Sequence, residues 1–303
     1  MALTTTSQIT TTSQFVPEEV AAGIIKDVRH TSAVMRLARK VPQATLTRTY
    51  NRRVSGPGAY WVADLERKTA DKASWDQVNM TANELAVIVP VKERDFIGNP
   101  LDVWGEIRED IVESFAIAFD TACIFGNGSP WATSIMEEIG TNHITEETGE
   151  DLADDINLAM GLVESANYGP NGCLSLRSLK ARLRGLRATG GEPIFQPAMT
   201  QDSTDMIYGL NTAFYTDVAS WDQAVTCIVG DWNQVYYSVV QGISYKILDQ
   251  ATLTTVTDGS GNPMALAELD MIALRATMFT GFLPVKADEA LAAVVTSGFG
   301  DTY

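Results

Sequence analysis

Few side chains in this sequence have the types and spacing that chemistry requires. The only histidines are His30 and His143, and neither has a second histidine at a metal-ligand spacing, so the HExxH and Cys/His zinc patterns are absent. Cys123, Cys173 and Cys227 lie far apart without CxxC spacing, which favours buried reduced thiols over a disulfide framework or a zinc site. We therefore expect neither a metal site nor a cofactor.

Motifs for nucleophilic catalysis and phosphate binding are also absent. The sequence has no GxSxG elbow and no GxxxxGK loop, and the segment 126–128 lacks the third glycine of a dinucleotide-binding fingerprint. Adjacent carboxylates occur at Glu137 with Glu138, at Glu146 with Glu147 and at Asp154 with Asp155. Because neighbours in sequence tend to point apart, such pairs serve acid–base catalysis only when they oppose one another across a cleft. We therefore predict that the chain is not an enzyme.

The composition of the chain argues against further classes of function. The chain has 303 residues, of which 45% are hydrophobic, enough for one large or two intermediate domains with a core. Its formal charge of -16 opposes tight binding to a phosphate backbone, so nucleic acid is expected only as a weakly contacted neighbour. No window approaches the ~20 apolar residues of a membrane-spanning helix, and the polar N-terminus is unlike a signal peptide. We expect no membrane insertion and no export by a standard signal.

The N-terminal part of the sequence contains segments that are too polar to fold alone. Residues 1–16 are rich in Thr, Ser and Gln and are predicted to be an arm that orders on a partner. A helix is predicted from Pro17, and a second helical turn runs through Val34 to Ala38. From Thr45 to Phe96 the period-two pattern predicts two extended arms joined by the polar connector RKTADKASWDQ. Such a long hairpin is marginal in water and needs a neighbour.

The longest predicted helix runs from Pro100 to Phe125, with Asn99 as its N-cap. At about 1.5 Å per residue it forms a rod of roughly 39 Å, which we expect to act as a spine. A short strand-like run is expected after the turn at 126–130. A capping-box-like pair, Thr148 and Asp151, precedes a second helix.

The remainder of the chain mixes helices and strands without regular alternation. Helices are predicted over Leu152–Val163 and over Leu176–Leu186, the latter ended by the glycines at 190–191. The segments AVTCIVG, ISYKIL and DMIALRATMFTGFLPV read as strands, and DGSGNP as a turn between two strands. Helices mixed in this way with strands predict an α+β fold rather than a doubly wound sheet.

Read in order, these segments resemble the major capsid proteins of tailed phages, with the Hong Kong 97-type fold that encapsulins share. The resemblance covers most of the chain. It rests on five segments in the family's order: VPEEVAAGIIKDVRHTSAVMRLARKVPQATL, AYWVADLERKTADKASWDQVNMTANELAVIVPVKERDF, DTACIFGNGSP, GDWNQVYYSVVQGISYKIL and ALRATMFTGFLPVKADEALAAV. The third, at the end of the predicted spine helix, is among the more specific signals.

The resemblance implies a division of the chain into four parts. They are an N-terminal arm and helix over 1–44, an extended β-hairpin loop over 45–92, a peripheral domain with the spine helix over 93–140 and 264–281, and an axial domain over 141–263 and 282–303. An arm and a hairpin too polar to fold alone agree with this plan, because both can become ordered on adjacent subunits.

The resemblance also implies a function and partners. The chain is expected to be a structural major capsid protein that assembles in the host cytoplasm into the pentamers and hexamers of a virion's icosahedral head, enclosing double-stranded DNA. Other copies of itself are the main partner, with portal, scaffolding and decoration proteins as further ones. An encapsulin-type compartment shell is the alternative, although the polar arm favours a phage. An acidic-site hydrolase or carbohydrate-binding protein, with carboxylates of raised pKa clustered in one cleft, is a distant alternative.

Candidate contact residues lie in the predicted hairpin. Tyr60, Trp61 and Trp75 are expected to anchor inter-subunit contacts, because large amphipathic rings dominate interface energies. The alternative for Trp61 is packing against its own subunit. Lys68 and Lys72 lie where some family members form an isopeptide bond with a neighbour, and we expect them at the same interface.

A second candidate surface is basic. The Leu-rich helix carries Arg177, Lys180, Arg182, Arg184 and Arg187 in an otherwise acidic protein. Arg177, Lys180 and Arg184 are predicted to contact an acidic neighbouring subunit, and a solvated face is an equally weighted alternative. Binding to nucleic acid ranks behind both because of the net charge.

Overall fold

The computed structural model describes residues 32–93, 103–146, 151–186, 206–215, 217–257 and 263–296. The predicted arm over 1–16, the helix from Pro17, the caps at Asn99 and Thr148, Arg187 and the glycines at 190–191 lie outside these residues.

The described helices and strands alternate irregularly along the chain. The helices are α1 (Ala33–Leu37), α2 (Val103–Phe125), α3 (Ile135–Ile139), α4 (Leu152–Ser165), α5 (Ser178–Gly185) and α6 (Ala287–Ala290). The strands are β1 (Arg39–Lys40), β2 (Thr47–Ser55), β3 (Ser74–Lys92), β4 (His143–Thr145), β5 (Gly172–Leu176), β6 (Met206–Ile207), β7 (Leu210–Tyr215), β8 (Val225–Gly230), β9 (Val235–Leu248), β10 (Thr252–Thr257), β11 (Pro263–Ala265), β12 (Met271–Pro284) and β13 (Leu291–Val295). Short 3-10 turns span Trp232–Gln234 and Leu266–Glu268. The α+β prediction is confirmed.

Within the described residues, the strands form two main sheets. The five-stranded sheet has the order β1-β9-β12-β3-β2 and the six-stranded sheet the order β4-β13-β8-β5-β7-β6. The strands β10 and β11 pair antiparallel on either side of the predicted DGSGNP turn. Most neighbours are antiparallel, but β1 with β9, β4 with β13 and β5 with β7 are parallel.

The two sheets differ in how they are covered. In β13, Leu291, Ala293 and Val295 belong to the main core, whereas Ala292 and Val294 pack on a second core beneath α4 and α5. Because side chains alternate along a strand, the six-stranded sheet is buried on both faces. The five-stranded sheet presents one face to the main core and leaves alternate residues of β3 exposed.

The spine helix α2 lies in the main core that joins the two sheets. The buried residues of α2 in this core are Ile111, Val112, Phe115, Phe119, Cys123, Ile124 and Phe125. They recur at helical spacing, as an amphipathic helix facing a core requires. The prediction of a long helix ending at Phe125 is therefore confirmed for Val103 onward.

The predicted hairpin forms, but its limits differ from the sequence pattern. The first arm ends at Ser55 rather than continuing towards Glu66, since Gly56-Pro57-Gly58 follows and proline cannot donate a ladder hydrogen bond. The second arm begins at Ser74, inside the segment predicted as connector. β3 therefore has 19 residues, of which Ser74–Thr81 pair with β2 and Ala82–Lys92 pair with β12.

Three local features were not predicted from the sequence. Leu176 belongs to the buried strand β5, so the following helix begins at Ser178. After the turn at 126–130 the chain forms α3, whose capping box joins Ser134 and Glu137, before the strand β4. Asp151 is the N-cap of α4, rather than a residue of its first turn, and its side chain makes no cap hydrogen bond.

The sheet pairing also bears on the predicted domain boundaries. Those boundaries place β9 with residues 141–263 and most of β12 with residues 264–281, yet β9 and β12 pair along most of their lengths. The five-stranded sheet is therefore divided by the boundaries.

Candidate functional site

The hairpin of β2 and β3 is held together along its length by cross-strand polar contacts. Thr49 Oγ1 donates to Asn79 Oδ1 at 2.7 Å, and the hydroxyls of Ser55 and Ser74 lie 2.6 Å apart. Most side chains of both arms in this region are exposed. The hairpin thus has internal pairing but little apolar cover of its own.

The root of the hairpin is fixed by buried polar contacts. Gln43 Nε2 donates to the carbonyl of Met80 at 3.3 Å, and Ser238 Oγ donates to Gln43 Oε1 at 2.8 Å. Gly281 lies against this cluster, since a Cβ there would stand 2.7 Å from Ser238 Oγ and 3.2 Å from Gln43 Oε1. Only a residue without a side chain fits this close approach.

Further contacts tie the paired arms to the body. Arg52 Nη1 donates to the carbonyl of Val285 at 2.9 Å, and the rings of Tyr50 and Tyr236 meet edge to face with centroids 5.8 Å apart. From Thr81 to Ser74 the strand extends about 23 Å at ~3.3 Å per residue. Because Arg52 pairs with Asp76, two residues from Ser74, these anchors reach almost to the end of the paired arms, and residues 56–73 form the tip beyond them.

The tip, residues 56–73, exposes large apolar side chains. Trp61 and Leu65 are fully exposed, and Trp75 at the start of β3 is 66% exposed. Tyr60 is partly exposed, and its hydroxyl donates to the carbonyl of Thr69 at 2.7 Å. The alternative that Trp61 packs against its own subunit is therefore wrong in this structure. Large apolar groups exposed together mark interaction sites.

Polar contacts give the tip a local structure. Asp71 Oδ2 accepts from the backbone N–H of Gly58 at 2.6 Å, and Asp71 Oδ1 accepts from the N–H of Lys72 at 2.8 Å. These two hydrogen bonds lower the pKa of Asp71. Lys68 and Lys72 are exposed on the same segment. The five predicted hairpin contact residues thus lie at the tip of the hairpin or directly beside it, and their contact with a neighbouring subunit stays a prediction.

Arg182 of the basic helix α5 forms an ion pair within the chain. Arg182 forms a two-pronged ion pair with Glu146, with distances of 2.8 and 3.0 Å. This pair lowers the pKa of Glu146, chiefly through the hydrogen bond from Arg182, and Thr226 Oγ1 also donates to the carboxylate. Sequence reasoning missed Glu146 as the partner, because 36 residues separate the two.

The remaining cations of α5 have different surroundings. Arg177 is exposed, Lys180 Nζ lies 4.8 Å from the centre of the Phe214 ring, and Arg184 Nε donates to the carbonyl of Lys180 at 3.2 Å. The predicted contact residues Arg177, Lys180 and Arg184 therefore share a short helix. Their contact with a neighbouring subunit stays a prediction.

The described residues offer little for catalysis. A groove of about 580 Å³ lies between β3 and the exposed side of α2, and Glu84 is the one ionisable residue among those that line it. The described part of the chain holds no group of three potential metal ligands, and within the same residues no helix is long and apolar enough to span a membrane.

The three cysteines are buried and free, as predicted. Burial raises the pKa of the Cys123 thiol, and a hydrogen bond with Cys173, together with burial, raises that of Cys227. A raised pKa keeps a thiol protonated and unreactive. Cys123 and Cys227 are therefore packing residues.

One buried ionisable residue was given no role by the sequence. Asp120 on α2 accepts hydrogen bonds from Ser32 Oγ at 2.5 Å, from the N–H of Ala33 at 2.7 Å and from the N–H of Val34 at 3.3 Å. Burial raises its pKa to about 7. The available signal was position, because Asp120 shares the apolar face of the predicted helix with Cys123 and Ile124.

Comparisons with known proteins agree on one family. A model described as the phage capsid family matches residues 13–295. The chain is similar to a major capsid protein of Staphylococcus phage 80alpha, with 29% identity over 91% of this chain and 83% of the relative. It is also similar to a probable major capsid protein of Mycobacterium phage D29, with 25% identity over 94% and 92% of the two chains.

A solved structure from Microbacterium phage Oxtober96 is similar in fold. Its TM-score is 0.76 at 28% identity, covering 98% of this chain and 96% of that one.

Proposed function

As the chain belongs to the phage capsid family, we propose that it forms the pentamers and hexamers of an icosahedral head that encloses double-stranded DNA. The protein is a major capsid protein with the Hong Kong 97-type fold, and it is structural rather than enzymatic. Its copies assemble into capsid oligomers, and its location is the capsid of the virion. Assembly in the host cytoplasm is part of the proposal.

The observation that carries the proposal is the exposed tip of the hairpin. Trp61 and Leu65 are fully exposed on a projection that is anchored at its root and bare at its end. Burying two such side chains against a neighbour removes their apolar surface from water, at about 25 cal/mol per Å². Repetition of a head-to-tail contact of this kind around an axis generates a closed ring.

We assign the hairpin side of this contact to Tyr60, Trp61, Lys68, Lys72 and Trp75. The three rings supply the apolar centre of the contact, and the two lysines supply charged groups at its rim. Because the tyrosine hydroxyl is already bonded to Thr69, its ring is held in place before assembly. A pre-ordered ring loses less conformational entropy when a neighbour covers it.

The basic helix α5 provides the proposed second contact. Arg177, Lys180 and Arg184 face an acidic surface of an adjacent subunit, which a chain of net charge -16 offers in abundance. Arg182 is excluded from this role because Glu146 already neutralises it. Charge reversal by R177E should therefore weaken capsomers at low salt, as followed by sedimentation, and the effect should shrink at high salt.

The domain plan is part of the same proposal. The six-stranded sheet with α4 and α5 corresponds to the axial domain, and the spine helix with the five-stranded sheet corresponds to the peripheral domain. Pairing of β9 with β12 supports moving residues 235–248 from the axial to the peripheral unit. Portal, scaffolding and decoration proteins are the further partners proposed, with packaged DNA as weakly contacted content.

Electron microscopy of the chain expressed alone and with its neighbouring genes tests the proposal. The wild-type chain should give uniform closed shells or capsomers, and DNA in the shells distinguishes a phage head from an enzyme-filled compartment. The double variant W61S/L65S should give unassembled, folded subunits. Its matched control is V218S, because Val218 is 60% exposed but lies outside the hairpin.

Shells from the control variant and none from the tip variant would support the proposal. A wild-type chain that stays monomeric under all conditions would contradict it. Normal shells from W61S/L65S would remove the tip from the contact.

A further inference from the structure

The groove between β3 and the exposed side of α2 is lined largely by apolar side chains. They belong to Leu85, Ile117, Ala118, Phe119, Ala122, Pro130 and Trp131. The groove has a volume of about 580 Å³. Sites that bury most of a drug-sized ligand have roughly 300–1,000 Å³. The groove therefore has room for more than one large apolar side chain.

Trp131 is held in place at this groove by contacts within the chain. Its Nε1 donates to the carbonyl of Thr81 at 2.9 Å, and its ring meets Phe119 edge to face with centroids 5.8 Å apart. Its backbone N–H donates to Ser129 Oγ at 3.1 Å, in the turn at 126–130 that lines one end of the groove. A site that is already ordered loses little conformational entropy when it binds a partner.

The groove lies at the root of the hairpin, far from the tip. Thr81, whose carbonyl accepts the hydrogen bond at the groove, is the last residue of β3 that pairs with β2 before β12 takes over. From Thr81 the strand carries the chain about 23 Å away to Ser74, where the tip begins. Trp61 and Leu65 are fully exposed, so they do not fill the groove of their own chain. A tip that fills this groove must therefore come from another copy.

The tip and the groove match in apolar surface and in charge. Trp61 and Leu65 expose apolar side chains at the tip, and contact with the apolar lining of the groove would remove both surfaces from water. Lys68 and Lys72 are exposed on the same tip. Glu84 is exposed and is the one ionisable residue that lines the groove. Opposite charges at the rim of a contact favour one orientation over others.

We propose that the groove between β3 and α2 receives the hairpin tip of a neighbouring copy. Trp61 and Leu65 insert into the groove, and the two lysines of the tip lie close to Glu84. This inference rests on the proposed function, since it names the surface that the exposed tip binds. Each chain gives its tip to one neighbour and its groove to the other, which is the head-to-tail contact that builds rings.

Site-directed cross-linking in assembled particles tests this contact. A63C places a thiol between Trp61 and Leu65, and A118C places one in the groove, both at exposed positions. Chains with A63C alone are assembled together with chains that carry A118C alone, and a bismaleimide then joins nearby thiols. A covalent dimer of the two chains is expected on a denaturing gel, and chains that carry both substitutions should give a ladder. The wild type supplies the background, because its three cysteines are buried.

The outcomes separate this inference from the proposed function. Closed shells without the mixed dimer would overturn the inference and leave the proposed assembly intact. Cross-linking within a monomer of A63C/A118C would also overturn it, because the tip would then reach the groove of its own chain. A wild-type chain that does not assemble would contradict the proposed function and this inference together.

Filling the groove gives a second measurement that does not depend on cross-linking. A118W places a ring where the neighbour's tip would lie, so the folded subunits should stay unassembled at concentrations at which the wild type forms shells. The matched control is A86W, because Ala86 is exposed on β3 but does not line the groove. Circular dichroism checks that both variants fold. Assembly of A118W, or an equal loss of assembly in A86W, would contradict the proposal.

Charge reversal tests the rim of the contact. E84K should raise the subunit concentration at half assembly by about two- to fivefold at low salt, as measured by sedimentation, because like charges then meet. The combined variant E84K/K68E/K72E exchanges the signs on both sides and should return this concentration towards that of the wild type. An effect of E84K that the exchange does not reduce would contradict the proposed pairing of Glu84 with the lysines of the tip.

Discussion

The strand β3 belongs to two regions that differ sharply in their surroundings. From Ala82 to Lys92 it is paired on β12 within a sheet that covers the main core, whereas from Ser74 to Thr81 β2 is the strand it pairs with. Most side chains of the second region are exposed. One strand can thus lie within a core-covering sheet along half its length and in an exposed hairpin along the rest. Substitutions in the two regions should therefore differ in their effect on the free energy of unfolding.

Truncation in the body should have the largest effect. Phe282 on β12 is 2% exposed, and its ring packs on Trp131 with centroids 5.5 Å apart. F282A removes that packing and leaves a cavity, so the free energy of unfolding should fall by about 3–5 kcal/mol. Denaturant unfolding followed by tryptophan fluorescence measures it. A loss below about 1 kcal/mol would mean that the body is less tightly packed than the structure indicates.

A smaller effect is expected where the two regions meet. G281A places a methyl group 2.7 Å from Ser238 Oγ, and the crowding should cost about 1–3 kcal/mol of unfolding free energy. The double variant G281A/S238A removes the crowded oxygen and should recover part of the loss.

The control is G161A, because Gly161 lies inside α4 with nothing within 4 Å of its added Cβ. That variant should be stabilised by up to about 1 kcal/mol. Equal destabilisation by both substitutions would argue against a tight root.

The ion pair between Arg182 and Glu146 should contribute less to the free energy of unfolding than the packing at Gly281. R182A should cost about 0.5–1 kcal/mol, because the Arg182 side chain is 48% exposed and its charge is screened. The pair lowers the pKa of Glu146, so its contribution is present above the ordinary value of 4.5 and is lost as pH falls through the lowered value. Unfolding of the wild type and R182A at pH 7 and pH 3 measures this. If the wild type and R182A still differ in unfolding free energy at pH 3, the effect arises from packing of the Arg182 side chain.

The smallest effect on folding is expected at the tip. W61A removes a ring that contacts solvent, so the unfolding free energy of the isolated subunit should change by less than about 0.5 kcal/mol. In capsomers, measured by sedimentation, the same change should weaken association markedly, because buried aromatic rings dominate interfaces. Destabilisation of the free subunit by W61A would show that the tip packs on its own body in solution.

Sequence patterns predicted the elements whose periodicity is local. The spine helix, α4 and the hairpin all follow from repeats of 3.6 or two residues. The pattern failed where a local signal was ambiguous, as at Leu176, which fits a helix stripe but continues a buried strand. It also extended the first hairpin arm past Ser55, because the alternation continues through residues that have no pairing partner.

Long-range partners lay beyond any local pattern. Asp120 stood out as part of a family-like segment, but its partner Ser32 is 88 residues away. The root cluster joins Gln43, Met80, Ser238 and Gly281, which no periodicity brings together. The exposure of the hairpin tip was easier to predict, because a polar segment with isolated aromatic rings forms no core that could bury those rings.

The continuity of β3 has a mechanical consequence. Its 19 residues form one extended chain of about 63 Å, with the tip at one end and the sheet on β12 at the other. Tension applied at Trp61 along this direction passes down the backbone and pulls β3 lengthwise past β12. The hydrogen bonds from Ala82 to Lys92 then share the load in shear instead of opening one after another. If the tip binds a neighbour as proposed, β3 would transmit tension from one subunit to the next.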